Sequence, residues 1–162
     1  MFTKAGASSD SLLRKHLAAL LKGGSAHADF DTAVKHFPAA LRGKRPNGSP
    51  HSAWELLEHM RIAQWDIVGF IRDRKHVSPK FPDGYWPNSP KPPNAAAWNK
   101  SVNAFRKDHK AMIALLSDNK TDLFAKIPSG NGQTILKEAL VLADHTSYHL
   151  GQFMFVRKTL ET

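Results

Sequence analysis

Cysteine is absent from this sequence of 162 residues. The chain therefore cannot form disulfides, offer thiolate ligands to a metal or use a cysteine nucleophile, and any thiol chemistry needs a thiol from outside. Long apolar runs are also missing, because none approaches the roughly 20 residues that a membrane-spanning helix needs. Residues 1–10 contain no apolar signal core. We therefore expect a cytoplasmic protein that does not associate with membranes.

Acidic residues are scarce relative to basic ones. The sequence has 14 Asp and Glu against 23 Lys and Arg, which gives a formal net charge of +9. The basic residues are dispersed, with short clusters only at residues 42–45 and 72–75, and they do not alternate with aromatic residues as in nucleic-acid-binding modules. We interpret the charge as a solvated basic surface that attracts an anionic substrate. Nucleic-acid binding, which would weaken steeply with salt, is not expected.

Four segments carry apolar residues at helical spacing, and we predict a long helix in each: residues 11–22, 52–72, 95–117 and 134–160. The second segment begins with a capping box, in which Ser52 and Glu55 satisfy free backbone N–H groups of the first turn. Ser9 or Asp10 is expected to cap the first helix, and Asn94 the third.

The connections add a short helix and a long loop to this pattern. A short helix is predicted within residues 29–37, and residues 75–94 hold six of the ten prolines, which is typical of a loop stiffened across one end of a domain. No segment shows convincing strand alternation. We predict an all-α protein, a four-helix bundle with short extra helices and a Pro-rich loop, folded as one domain over residues 1–162 with an ordered core from about 11 to 160.

Histidines on two of the predicted helices have the spacing of metal ligands. His145 and His149 are four residues apart, so their side chains lie on the same helix face. A third ligand has to come from another helix, and the best candidate is His59, which lies in a core-facing row of the second long helix. Three imidazoles leave coordination positions open, which is typical of a catalytic rather than a structural site.

Carboxylates near these histidines have two interpretations. Glu55 and Asp66, one turn before and two turns after His59, could orient its imidazole from behind. Their alternative roles are helix capping for Glu55 and surface solvation for Asp66. Asp144 is a further candidate of this kind, although its position beside His145 points it about 100° round the helix and favours a surface location.

Other chemically interesting residues are expected to be mainly structural. His109 falls in the apolar seam of the third long helix and is interpreted as a hydrogen-bonded core residue rather than a ligand. His16 is interpreted as a rim residue. His27 and His36 could reach a substrate at the mouth of a site or could simply be exposed. Tyr85 and Trp86 of the Pro-rich loop either pin the loop by packing or line a pocket.

Three stretches closely resemble the DinB-like (damage-inducible) family of metal-dependent enzymes: SAWELLEHMRIAQWD at residues 52–66, YWP at residues 85–87 and ADHTSYHLGQ at residues 143–152. The resemblance extends from about residue 11 to 160. It implies an up-down-down-up bundle, assembly as a homodimer, and a divalent metal, zinc or nickel above all, bound by the family's three histidines, which match His59, His145 and His149. It also implies that a low-molecular-weight thiol such as bacillithiol, mycothiol or glutathione is a possible cosubstrate.

These observations lead to two functional hypotheses. In the first, the three-histidine site activates water or an external thiol for hydrolysis of, or S-transfer to, a small-molecule substrate. In the second, the chain is a non-catalytic, stress-related binding module in which a structural metal only ties two helices together. The hypotheses differ in whether a coordination position stays open.

Overall fold

The computed structural model describes residues 8–162, so the start of the N-terminal segment that we inspected for a signal core lies outside the described residues. Between residues 8 and 162 the chain forms five α-helices: α1 (Ser9–Lys22), α2 (Phe30–Val34), α3 (Ala53–Arg72), α4 (Ala95–Ser117) and α5 (Ile135–Leu160). The same residues contain no strand, only an isolated bridge between Lys126 and Thr134. None of the described helices is long and apolar enough to cross a membrane.

Side-chain caps set the starts of the long helices. The capping box at Ser52 and Glu55 is present as predicted at the start of α3, and the side chains of Asn94 and Thr134 cap α4 and α5. The predicted start of α1 was wrong by two residues, since the helix begins at Ser9 rather than at residue 11. Ser8 is its cap, and neither Ser9 nor Asp10 takes that role. The Asp10 carboxylate instead binds the Arg14 guanidinium one turn further on.

Helix α3 runs parallel to α4 and antiparallel to α5. Ser101 donates a hydrogen bond to Glu58, and Gln64 donates one to the carbonyl of Phe105. The later residue of α3 thus meets the later residue of α4, which makes these two helices parallel. The second direction follows from His59, near the start of α3, which meets His149 in the C-terminal half of α5. These pairings place α4 and α5 on either side of α3.

Helix α1 closes the bundle between α4 and α5 and lies diagonally across from α3. The Arg14 side chain, near the start of α1, donates hydrogen bonds to the carbonyls of Leu116 and Asp118 at the end of α4, so α1 and α4 are antiparallel. With α3 parallel to α4 and α5 antiparallel to α3, the order is up-down-down-up. The predicted all-helical bundle is confirmed.

Apolar packing holds the histidine-bearing faces of α3 and α5 in place. Leu56 and Met60, which flank His59, belong to the same buried cluster as Leu150 and Phe153, which follow His149. Burial of each such side chain contributes about 1.5–3 kcal/mol. The rotation of both helices about their axes is thereby fixed, and with it the direction of the histidine side chains.

The connection between α3 and α4, residues 73–94, was expected to cross one end of the bundle, but that prediction was wrong. Because α3 and α4 are parallel, the connection runs back along α3 and contacts Asp66, then His59, then Ser52. We call it the strap. It contains a short 3-10 turn, Asp83–Tyr85. The Ser52 hydroxyl at the start of α3 donates a hydrogen bond to the carbonyl of Pro90, which ties the end of the strap to the helix that carries His59.

Replacing Ser52 by Ala should destabilise the fold by about 1–3 kcal/mol, because the change removes an N-cap and leaves the Pro90 carbonyl without its buried donor. Urea unfolding followed by circular dichroism measures the effect. Ser25→Ala, at an exposed position outside the helices, is the matched control and should stay within about 0.5 kcal/mol of the wild type. Equal stability of the two variants would contradict the role assigned to Ser52.

Candidate metal centre

The three histidines predicted as ligands come together between α3 and α5. The Nε2 atom of His59 lies 3.0 Å from Nε2 of His149 and 3.0 Å from Nε2 of His145. His59 and His149 are each only 8% exposed, and His145 is half-buried. Among the described residues these three form a group whose ligand atoms all lie within 4.8 Å of one another, a spacing compatible with one metal ion.

Hydrogen bonds behind two of the rings determine where their protons are. The Nδ1 atom of His59 lies 2.9 Å from the backbone carbonyl of Tyr85, and Nδ1 of His149 lies 2.7 Å from Oε1 of Gln152. Both partners are acceptors, so each Nδ1 carries the hydrogen. In the neutral rings the Nε2 atoms of His59 and His149 then carry no hydrogen. Their lone pairs face each other across an Nε2–Nε2 distance of 3.0 Å.

Two facing lone pairs repel unless a positive charge lies between them. Nitrogens bound to one ion at about 2.0–2.1 Å, with an angle of about 90–109° between them, are about 2.9–3.4 Å apart. The observed 3.0 Å separations fall in that range. The donor set of three imidazoles, with acceptors behind two of them, therefore fits a divalent transition metal.

The surroundings keep these imidazoles neutral. Burial lowers the pKa of His145 to about 4, with further lowering by the charges that His149 and His59 would carry. Burial likewise lowers the pKa of His149 to about 4, although the Gln152 hydrogen bond opposes the shift. The pKa of His59 is also lowered, chiefly by burial, against the hydrogen bond to Tyr85. All three nitrogens are thus available to a metal near neutral pH.

The strap residue Trp86 covers one face of the His59 ring. Its indole stacks on the His59 ring at a centroid distance of 3.9 Å and an interplanar angle of 2°. His51 stacks on the same indole at 4.0 Å and 15°. Because both imidazoles lie parallel to the indole at about the same distance, they occupy its two faces. Of the two interpretations of Trp86, packing and pocket lining, the structure supports packing directly onto a candidate ligand.

Asp66 holds the strap in the position from which it reaches His59. One carboxylate oxygen accepts from the Tyr85 hydroxyl at 2.6 Å, and the other lies 2.7 Å from Nε2 of His76. Burial, assisted by the hydrogen bond to Asp66, raises the pKa of Tyr85 to about 12, so its hydroxyl keeps the proton that it donates. Asp66 is therefore buried rather than surface-solvating, and it acts on His59 only through the backbone of Tyr85.

The other two carboxylates do not serve the centre. Glu55 forms the capping box with Ser52 and an ion pair with Arg45, and it makes no contact with the three histidines among residues 8–162. Asp144 is exposed and has no hydrogen-bond partner within the described part of the chain. Their alternative roles, capping and surface solvation, are the ones that the structure shows.

The other histidines considered in the sequence analysis lie outside the centre. His109 packs against Phe105 and lines a cavity of about 590 Å³ between α1, α2 and α4. It was expected to be hydrogen-bonded, but it has no such partner within residues 8–162. His16 and His36 are exposed, and His27 contacts Ser147 rather than any of the three clustered histidines.

Four contributors to the centre were missed by sequence reasoning. Gln152 lies three residues after His149 on the predicted fourth helix, and that spacing was the available signal. His51 and His76 gave no such signal, because the role of each arises from a tertiary contact between the strap and the rest of the bundle. The Tyr85 carbonyl is a backbone group, which no side-chain pattern reports.

Fold and site together define a class, helical bundles with three histidines gathered on facing helices. The sequence model of the DinB superfamily matches residues 25–153, which is well over half of the chain. The chain belongs to the DinB superfamily. Comparison with curated proteins and with solved structures finds no match. The family assignment is thus confirmed, whereas the activity has to be argued from the site.

Replacing Tyr85 by Phe should weaken zinc binding about tenfold. The change keeps the aromatic ring and the carbonyl that faces His59 but removes the hydroxyl that Asp66 holds, and loss of such outer contacts typically costs 10–100-fold in metal affinity. Competition with a chromogenic chelator gives the zinc Kd. Tyr148→Phe, which removes an exposed hydroxyl on α5, is the matched control and should leave the Kd unchanged. Equal zinc affinity of the two variants would mean that Asp66 does not position the centre.

Acid should destabilise the metal-free protein within a defined pH window. His145 and His149 have a pKa near 6.5 in the unfolded chain and about 4 in the fold, so the unfolded chain takes up protons first. Their contribution to stability is complete above the unfolded pKa and is lost as pH falls from about 6.5 to about 4. Urea unfolding of chelator-treated protein across this range measures the slope. The double variant His145→Asn, His149→Asn should show a shallower slope, and equal slopes would exclude these residues as the cause.

Proposed function

We propose that this protein is a metal-dependent enzyme in which His59, His145 and His149 hold one divalent ion. The observation that supports the proposal most is that Nε2 of His59 and Nε2 of His149 face each other at 3.0 Å, each with a lone pair. The acceptors on Tyr85 and Gln152 fix this tautomer in the two rings. A buried arrangement of this kind is unfavourable without a cation. Metal binding removes that repulsion.

The chemistry proposed is hydrolysis of, or S-transfer to, a small molecule. A divalent ion in a three-histidine site acts as a Lewis acid and makes water or a thiol acidic enough to serve as a nucleophile near neutral pH. The chain's own groups have supporting roles: the Tyr85 carbonyl and Gln152 orient two of the imidazoles, and Trp86 keeps water from one face of His59. Because the chain has no cysteine, a thiol nucleophile has to be an external low-molecular-weight thiol.

One feature favours this proposal over a binding module with a structural metal. Structural zinc sites are usually closed by four protein ligands, whereas three histidines gather here among the described residues. Zinc and nickel are the proposed ions. The homodimer implied by the family resemblance stays a prediction, and exposed apolar residues along α5 are available for it: Leu140, Val141 and Tyr148.

Metal analysis of the untagged protein tests the proposal. We expect about one equivalent of zinc or nickel per chain in the wild type and loss of stoichiometric metal in His59→Ala and in His149→Ala, because a lost ligand costs more than the 10–100-fold of an outer contact. His109→Ala is the matched control, since that histidine lies on α4 outside the centre, and it should retain the metal. Circular dichroism establishes that the variants keep the helical bundle.

The outcome separates the two hypotheses. Metal that depends on His59 and His149 justifies measuring the metal-loaded protein with thiols and electrophiles, and with hydrolysable substrates. A wild type that takes up neither zinc nor nickel, even when the ions are supplied in excess, contradicts the enzyme proposal and leaves a helical binding module.

A further inference from the structure

We propose that a cavity of about 330 Å³ behind the ligand rings binds a small, uncharged, mainly apolar molecule with a hydrogen-bond acceptor. We call this cavity the apolar cleft. It is lined by residues 48–51, by Leu56 of α3 and by residues 151, 152, 155 and 156 of α5. The inference goes beyond the proposed function, since the cleft does not reach the nitrogens that face the proposed ion.

The apolar cleft is joined to the centre by two shared residues. Gln152 lines the cleft and accepts the hydrogen bond from Nδ1 of His149. His51 lines it as well and stacks on Trp86, whose other face covers His59. A molecule in the cleft is therefore separated from the three imidazoles by one residue on each of two sides, Gln152 behind His149 and Trp86 in front of His51.

The lining of the cleft excludes a charged ligand. Although the chain carries a net charge of +9, none of the described residues that line this cavity is Lys, Arg, Asp or Glu. Leu56 and Val156 form a buried apolar floor, and Phe155, which is 62% exposed, forms one wall. An anion placed here would lose its hydration without gaining a countercharge.

The few polar groups in the cleft specify a hydrogen-bond acceptor. Oε1 of Gln152 already accepts from His149, so the amide NH₂ of Gln152 is the end that remains to donate. The His51 ring makes no hydrogen bond to residues 8–162, and burial lowers its pKa, so it is neutral near pH 7. A carbonyl, nitro or ether oxygen on an apolar body matches these groups. The volume, at the lower end of the range for ligand pockets, favours a molecule of one or two rings.

Gly151 offers a way to fill the cleft without disturbing the bundle. It lies in the middle of α5 with ordinary helical backbone, and a Cβ built on it meets nothing within 4 Å. A larger side chain at this position therefore enters open space beside Gln152. Gly48 also lines the cleft, but its φ of 79° makes it unsuitable, because substitution there strains the backbone.

Binding of prodan, an uncharged naphthalene ketone whose fluorescence reports an apolar environment, tests the proposal in chelator-treated and zinc-loaded protein. Gly151→Leu should raise the prodan Kd at least about tenfold while leaving the metal content unchanged. Gly151→Ala is the control for the backbone and should bind within about twofold of the wild type, with a raised melting temperature from better helix propensity. Uncharged 2-acetylnaphthalene should displace prodan at a concentration at least about tenfold lower than anionic 2-naphthoate.

A second pair of variants covers the case in which Gly151→Leu does not fold. Phe155→Ala should weaken prodan binding severalfold, whereas Phe124→Ala, at an equally exposed phenylalanine (63%) outside the cleft, should not. Unchanged binding in folded Gly151→Leu, equal effects of the two Phe variants, preference for 2-naphthoate, or no prodan binding to the wild type would each overturn the proposal. Prodan binding without metal uptake would refute the metal-dependent function alone, and metal uptake without prodan binding would refute the cleft alone.

Discussion

The constraint on which this structure depends is that three neutral imidazoles meet inside a helical bundle, two of them with lone pairs turned toward each other. Such an arrangement is unfavourable in a protein interior unless something holds it in place. Here the apolar packing of α3 against α5 brings His59 and His149 together. The acceptors on Tyr85 and Gln152 then decide which nitrogen of each ring faces its neighbour. Helix packing provides proximity, and hydrogen bonding provides orientation.

The strap connects these two contributions. It is anchored at Asp66 and at Ser52, both of which belong to the α3 region that carries His59. The same segment supplies the carbonyl behind His59 and the indole on its face. A loop of this length without regular structure is unusual in a small domain, and its contacts with the centre give a physical reason for its presence.

The sequence predicted the helices well because their signals are local. Capping residues and apolar spacing gave α3, α4 and α5 nearly to the residue, and the four-residue spacing of His145 and His149 placed them on one face. His59 could be chosen from its core-facing row. The roles of Asp66 and His51 could not be predicted, because each depends on where a 22-residue connection, from residue 73 to residue 94, crosses the bundle. Periodicity reports which side of a helix is buried, but it does not report which loop covers it.

One of the three imidazoles differs from the other two in how it is held. His59 and His149 are each fixed by an acceptor at Nδ1, whereas the buried Nδ1 of His145 has no partner within residues 8–162. The tautomers of His59 and His149 are therefore set by the protein alone, whereas that of His145 is not. If an ion binds, its charge would decide which nitrogen of His145 carries the proton.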